Sequence, residues 1–137
     1  MAERRPERVL NLFAYTCAFA MPLAAAGAAV TNVDVSGRYL DWGRRNLALN
    51  GLEPSAMRFL RRDAMDYLTQ AARRPDERFD LVILDPPTFA AANKRRGVAA
   101  WRAVDDYPAL IGAAVRVLSP GGVVFAASNT RELAASG

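Results

Sequence analysis

Five short apolar runs, separated by segments of helical periodicity, restrict this chain to one kind of fold. The runs are Val9–Phe13, Ala29–Val33, Met57–Leu60, Phe79–Leu84 and Val123–Ala127. Continuous hydrophobicity of this kind fits strands covered on both faces, as in a parallel sheet. Four helices are expected between them. Phe19–Ala26 is short and admits Pro22 only in its first turn. Ser36–Asn50 starts at a capping serine and stops before Gly51. Asp63 can cap Ala64–Ala72, and Pro108–Leu118 opens with proline near its first position, followed by Leu110, Ile111, Ala114, Val115 and Leu118 at helical spacing. Ser119-Pro-Gly-Gly122 reads as a turn into the last strand. The order β-α-β-α-β-α-β-α-β predicts an α/β fold with an open, doubly wound, mainly parallel sheet.

A chain of 137 residues, 52% apolar, suits one domain with a real core. The expected organisation is a charged tail over residues 1–8 and a folded core over 9–137. No run approaches the roughly 20 apolar residues of a membrane span, and Met1–Arg8 lacks a signal-peptide layout. A cytoplasmic protein is the expectation. One cysteine and no histidine exclude a disulfide framework and a Cys/His zinc site, so no metal is expected. The formal charge of +4 points toward a polyanionic partner, although almost all basic residues are arginine. Lys94-Arg95-Arg96 is the densest basic run beside a candidate site; it is either a solvated loop or a contact for a nucleic-acid backbone.

In open parallel sheets, ligands bind outside the carboxyl ends of the strands. Polar residues gather there: Asn11 and Tyr15-Thr16 after the first, Asp34 after the second, Asp63 shortly after the third, Asp85 after the fourth, Ser128-Asn129 after the fifth. Asp34 can accept two hydrogen bonds from a ribose diol, in NAD or in S-adenosylmethionine alike, or only help cap the next helix. Asp63 can accept an adenine amino group or merely cap its own helix. The first turn divides the cofactor classes. Pyrophosphate binding calls for G-x-G-x-x-G, but Asn11–Ala20 contains no glycine. S-adenosylmethionine carries no phosphate and demands less of that turn. Cys17 within it reads as a small buried residue rather than a reactive thiol.

Pro86–Val104 is the only long loop, which invites a functional reading. It opens with Asp85-Pro86-Pro87-Thr88-Phe89, where two prolines stiffen the backbone directly after a buried strand. The Asp85 carboxylate and the carbonyls beside it can grip the polar edge of an extruded base, and Phe89 offers a stacking face. Methyl transfer from a sulfonium then needs mainly an in-line approach of about 3 Å, which is positional catalysis. The alternative is a proline-stiffened loop with a core phenylalanine.

Asn11-Leu-Phe-Ala-Tyr-Thr16, Val33-Asp34-Val-Ser36 with Tyr39-Leu-Asp-Trp42, Asn46-x-x-Leu49-Asn50-Gly51-Leu52, Arg62-Asp63-Ala64 and Phe79–Phe89, in that order, resemble the bacterial 23S rRNA large-subunit methyltransferases of the class I, Rossmann-like fold. The resemblance runs from about Val9 to Arg131. It implies S-adenosyl-L-methionine as cofactor, held by Asn11, Phe13, Tyr15, Thr16, Asp34, Ser36, Asp63, Ala64 and Asp85. It also implies ribosomal RNA as partner; position after the fourth strand assigns the base site to Asp85, Pro86, Pro87 and Phe89 and the RNA backbone to Lys94, Arg95 and Arg96. The cytosine-methylating branch places a nucleophilic cysteine just after the fifth strand, where this chain has Phe125-Ala-Ala-Ser128-Asn129. The similarity is closer to the N7-guanine branch, in which the acceptor lone pair needs no general base. Two departures stand out. Cys17 replaces the family's glycine, so its Cβ is expected to crowd the methionine end of the cofactor. The family's closing strand hairpin and accessory RNA-binding region are expected to be missing, leaving RNA docking to a further domain or a partner chain. Competing readings are an NAD-type oxidoreductase of the same sheet class and a non-catalytic RNA-binding relic.

Overall fold

The computed structural model describes residues 5–91, 93–96 and 100–128, with only the backbone described for Phe89, Arg96, Ala103 and Val104. Its elements in chain order are β1 (Arg8–Leu12), α1 (Ala20–Ala25), β2 (Ala29–Asp34), α2 (Gly37–Leu49), β3 (Met57–Arg61), α3 (Ala64–Ala72) and β4 (Phe79–Leu84). Then follow two short strands, β5 (Phe89–Ala90) and β6 (Trp101–Arg102), α4 (Ala103–Val115) and β7 (Leu118–Ala126). β1 pairs in parallel with both β2 and β4, and the five-stranded sheet has the order β3-β2-β1-β4-β7. All four pairings are parallel. Five carboxyl ends therefore share one edge, and the connections reverse direction between β1 and β4.

Alternating side chains divide the core between the two sheet faces. Leu10, Leu12, Val82 and Leu84 pack with Tyr67, Leu68, Leu110 and Ala114 beneath α3 and α4. Val9, Val30 and Ile83 pack with Ala20, Ala24, Leu40 and Leu47 beneath α1 and α2. Burial on both faces explains the continuous hydrophobicity of the strands.

The helix ends follow local chemistry. Ser36 is extended and its Oγ accepts from Tyr39 N–H at 3.3 Å, while Gly51 past the end of α2 takes φ +65°. Asp63 caps α3 by accepting from Asp66 N–H at 3.1 Å. Pro22 falls in the first turn of α1, as required. Two boundaries differ from expectation. α4 begins at Ala103, five residues before Pro108. Asp105 and Asp106 occupy its first turn, and the Asp106 carboxylate accepts from Arg102 N–H at 2.7 Å. That closure and the favourable helix dipole offset the one backbone bond Pro108 cannot make. Likewise β7 begins at Leu118: Ser119-Pro-Gly-Gly122 is a bulge inside the strand, between the Phe79–Leu118 and Leu81–Val123 pairs, with Gly121 at φ +78°. No helix among the described residues is long and apolar enough to cross a membrane.

Candidate active site

The turn after β1 forms without glycine, and it does so under strain. Phe13, Tyr15 and Cys17 all adopt left-handed φ, at 57°, 50° and 63°. Each such residue costs on the order of 1–3 kcal/mol unless its surroundings hold it. Here Ala14 N–H donates to the Val33 carbonyl at 3.1 Å, Cys17 N–H to the Ala14 carbonyl at 2.7 Å, and Asn46 Nδ2 to the Thr16 carbonyl at 3.1 Å. Tyr15 N–H donates to Asp34 Oδ2 at 2.9 Å, and Ser36 N–H to Asp34 Oδ1 at 2.8 Å. The Asp34 carboxylate thus pins the turns after β1 and β2 together. Each of its oxygens accepts one of these bonds and keeps a lone pair for another donor.

Beside Asp34 lies a cleft of about 260 Å³. Phe13, Val33, Val35, Ala64 and Met65 give it apolar walls, and Asp34 and Asp63 present carboxylates to it. Pro87, Ala90 and Trp101 from the loop after β4 close another side, with Asp106 and Ala109 of α4 beyond. An apolar slot bounded by two carboxylates at the strand ends suits a flat heterocycle joined to a sugar diol. Asp63 caps α3, the simpler of its two expected roles, and also lines the cleft.

The other anticipated site residues distribute unevenly. Phe13, Asp34, Asp63, Ala64 and Pro87 meet at the cleft. Asn11 is buried, its Nδ2 donating to Asn32 Oδ1 at 3.0 Å, and Asn32 Nδ2 donates to the Arg58 carbonyl at 3.2 Å. It ties three strands together. Ser36 caps α2. Tyr15 is exposed on the rim with its ring edge-on to Tyr39, centroids 4.5 Å apart. Asp85 follows β4 and Pro86 is buried there; neither lines the cleft. Lys94 and Arg95 are exposed on a short 3-10 turn. The Phe89 and Arg96 side chains and Asn129 lie outside the described part of the structure.

Cys17 is the small buried residue expected of it. Its side chain is fully buried toward Gly43 and Phe59, between α2 and the sheet, and it does not line the cleft. Burial, with the Asp34 carboxylate adding to it, pushes the thiol up to about 12, so it remains a protonated packing group.

Sequence reasoning assigned no site role to Val35, Arg62, Met65, Trp101, Asp106 or Tyr107. Trp101 was findable as the one tryptophan of the one long loop. Tyr107, buried in α4, donates from its hydroxyl to the Ala127 carbonyl at 2.6 Å and reaches the Leu84 carbonyl at 3.5 Å. It clamps the ends of β4 and β7 beside Asp85. Burial and, secondarily, the Asp85 charge hold its hydroxyl above the usual tyrosine range.

A family model described as S-adenosylmethionine-dependent methyltransferase matches residues 2–136. The chain is 41% identical over 124 residues to a ribosomal RNA large subunit methyltransferase K/L of Psychrobacter sp. (strain PRwf-1), covering 88% of this chain and 15% of that protein. It is 38% identical over 126 residues to the ribosomal RNA large subunit methyltransferase K of Neisseria meningitidis serogroup B, covering 91% and 35%. The chain thus spans between 15% and 35% of the length of these relatives. Among solved structures, a SAM-dependent methyltransferase from Agrobacterium tumefaciens superposes with a TM-score of 0.80 at 34% identity, covering 95% of this chain and 41% of that one. SMU.776, a methyltransferase in complex with SAH, gives 0.77 at 34% identity, covering 90% and 31%.

Proposed function

Because the chain belongs to the S-adenosylmethionine-dependent methyltransferase family, we propose that it binds S-adenosylmethionine in this cleft and methylates a base of ribosomal RNA, with guanine N7 as acceptor. The observation that carries the reading is the meeting of Asp34 and Asp63 on one apolar cleft, beside Pro87 of the Asp85-Pro-Pro segment. Asp34 accepts the ribose hydroxyls through its free lone pairs. Asp63 and the Ala64 N–H, one of the unpaired donors at the start of α3, address the adenine edge. When bound, the cofactor supplies an electrophilic methyl group on a sulfonium.

The residues that follow β4 then position the acceptor. Asp85 and the carbonyls of the proline pair orient the base edge, and Phe89 is assigned the stacking face. Rigid placement suffices, since N7 presents a lone pair and no proton need be removed before attack. Lys94, Arg95 and Arg96 are assigned the RNA backbone. A similar chemistry is named for the relatives, which are ribosomal RNA large subunit methyltransferases.

Calorimetric titration with S-adenosylhomocysteine and, in parallel, NADH tests the cofactor class; binding of the first alone is expected. Transfer of labelled methyl to 23S rRNA is then mapped by borohydride–aniline cleavage, which cuts at N7-methylguanine. Absence of homocysteine-nucleoside binding would sink the reading, and label on a pyrimidine would remove guanine as acceptor.

A further inference from the structure

Two short strands follow β4 beside the cleft. β5 and β6 pair antiparallel, Phe89 with Arg102 and Ala90 with Trp101, which brings Trp101 back beside the segment that follows β4. The Trp101 side chain touches both halves of the site. Its indole lines the cleft and lies 5.8 Å, centroid to centroid, from the Phe13 ring in the strained turn after β1. Its Nε1–H donates to the Pro87 carbonyl at 2.7 Å. Behind it stands Tyr107, 6.5 Å away, which clamps the ends of β4 and β7. One flat side chain therefore forms a wall of the cleft and also holds a carbonyl of the segment assigned to the base.

From this geometry we infer that Trp101 is a positioning residue: a nucleoside filling the cleft packs against the indole, fixes its orientation, and through Nε1–H sets the Pro87 carbonyl for the incoming base. The inference rests on the proposed use of the cleft for S-adenosylmethionine. A ligand can fix the indole only by interacting differently with its alternative orientations. The Pro87 bond supplies that difference, because the ring cannot turn without breaking it. Occupancy and the Trp101–Pro87 bond then strengthen one another reciprocally.

The experiment uses S-adenosylhomocysteine as probe and the exposed turn at Lys94 and Arg95 as reporter. Trp42 and Trp101 are the two tryptophans, and Trp42 lies on the outer face of α2 away from the cleft. In Trp42→Phe, Trp101 emission should change saturably with the probe. Probe binding should also slow tryptic cutting after Lys94 and Arg95 by at least roughly tenfold, the scale of a 1.4 kcal/mol coupling. Trp101→Phe keeps a ring but removes the N–H; it should lose the protection and, by the same reciprocity, about tenfold in probe affinity (1.4 kcal/mol). Protection of Trp101→Phe equal to that of the unaltered protein overturns the inference, as does emission that ignores a bound probe. Failure of the unaltered protein to bind the probe, measured calorimetrically, instead brings down the functional reading and this inference with it.

Discussion

The Cys17 thiol fills the space that a side chain on Gly43 would need: a Cβ built on Gly43 would lie 2.6 Å from Cys17 Sγ and 3.2 Å from Phe59 Cε1. The turn after β1 and the middle of α2 are therefore matched, a side chain on one requiring its absence on the other. Gly43→Ala should cost about 1–3 kcal/mol by overpacking. In a Cys17→Gly background the thiol is gone, and alanine's better helix propensity, worth about 1 kcal/mol, should bring the cost near zero. Urea unfolding of the four proteins measures the coupling; an equal penalty in both backgrounds would show that the two sites do not sense each other.

The same burial makes Cys17 chemically quiet. With its thiol pushed up to about 12, the folded protein should react with iodoacetamide at pH 8 roughly a hundredfold or more slowly than the urea-unfolded chain. The linkage has a definite sign. The folded thiol keeps its proton to higher pH than the unfolded one, so its contribution is complete below about pH 9 and is lost as pH rises toward 12. Tyr67, raised by burial and by its bond to Glu77, and Tyr107 act in the same direction. The urea midpoint should fall steadily above pH 9, and less steeply in Cys17→Ala. Parallel pH profiles for the two proteins would show that Cys17 contributes nothing to alkaline unfolding.

Asn11 offers a test of structure against binding. Its amide donates to Asn32 Oδ1 at 3.0 Å, between two buried side chains of adjacent strands. Asn11→Ala should cost about 1–3 kcal/mol through the unsatisfied Asn32 group, with little change in homocysteine-nucleoside affinity below the melting range. A tenfold loss of affinity in the folded variant would instead return Asn11 to the ligand set.

Legibility in the sequence followed the range of the interactions. Ser36, Asp63 and Gly51 act within three or four residues of themselves, so α2 and α3 could be bounded from local chemistry alone. Leu10, Leu12, Val82 and Leu84 needed only their burial to mark strands. Asp34 and Asp63 were legible because strand order alone puts them on one edge. What was hidden depended on distant partners. Pro108 reads locally as a helix start, but Asp106 closing on Arg102 moves the start to Ala103. Ser119-Pro-Gly-Gly122 reads as a turn, and only pairing with β4 turns it into a bulge. Trp101 belongs to the cleft because of a carbonyl 14 residues earlier, and the direction of Cys17 is set by a glycine on α2.

Asp34 carries the final prediction, and it separates two roles of one carboxylate. Both oxygens already accept backbone N–H groups, from Tyr15 and Ser36, in a stretch where three non-glycine residues hold left-handed φ. Asp34→Ala removes these acceptors together with the proposed ribose contact. It should weaken S-adenosylhomocysteine binding by about 1.5–3 kcal/mol, the scale of charge-assisted hydrogen bonds, and also lower the melting temperature as the turn loosens. Asp34→Asn keeps one acceptor oxygen and the side-chain volume. It should recover most of the stability while recovering little of the affinity, because one carboxylate oxygen is replaced by an amide donor and the negative charge is gone. Calorimetry gives the affinities and thermal unfolding the stabilities. If affinity and stability return together in Asp34→Asn, the carboxylate serves only to fold the turn; affinity unchanged in Asp34→Ala would place the ribose elsewhere.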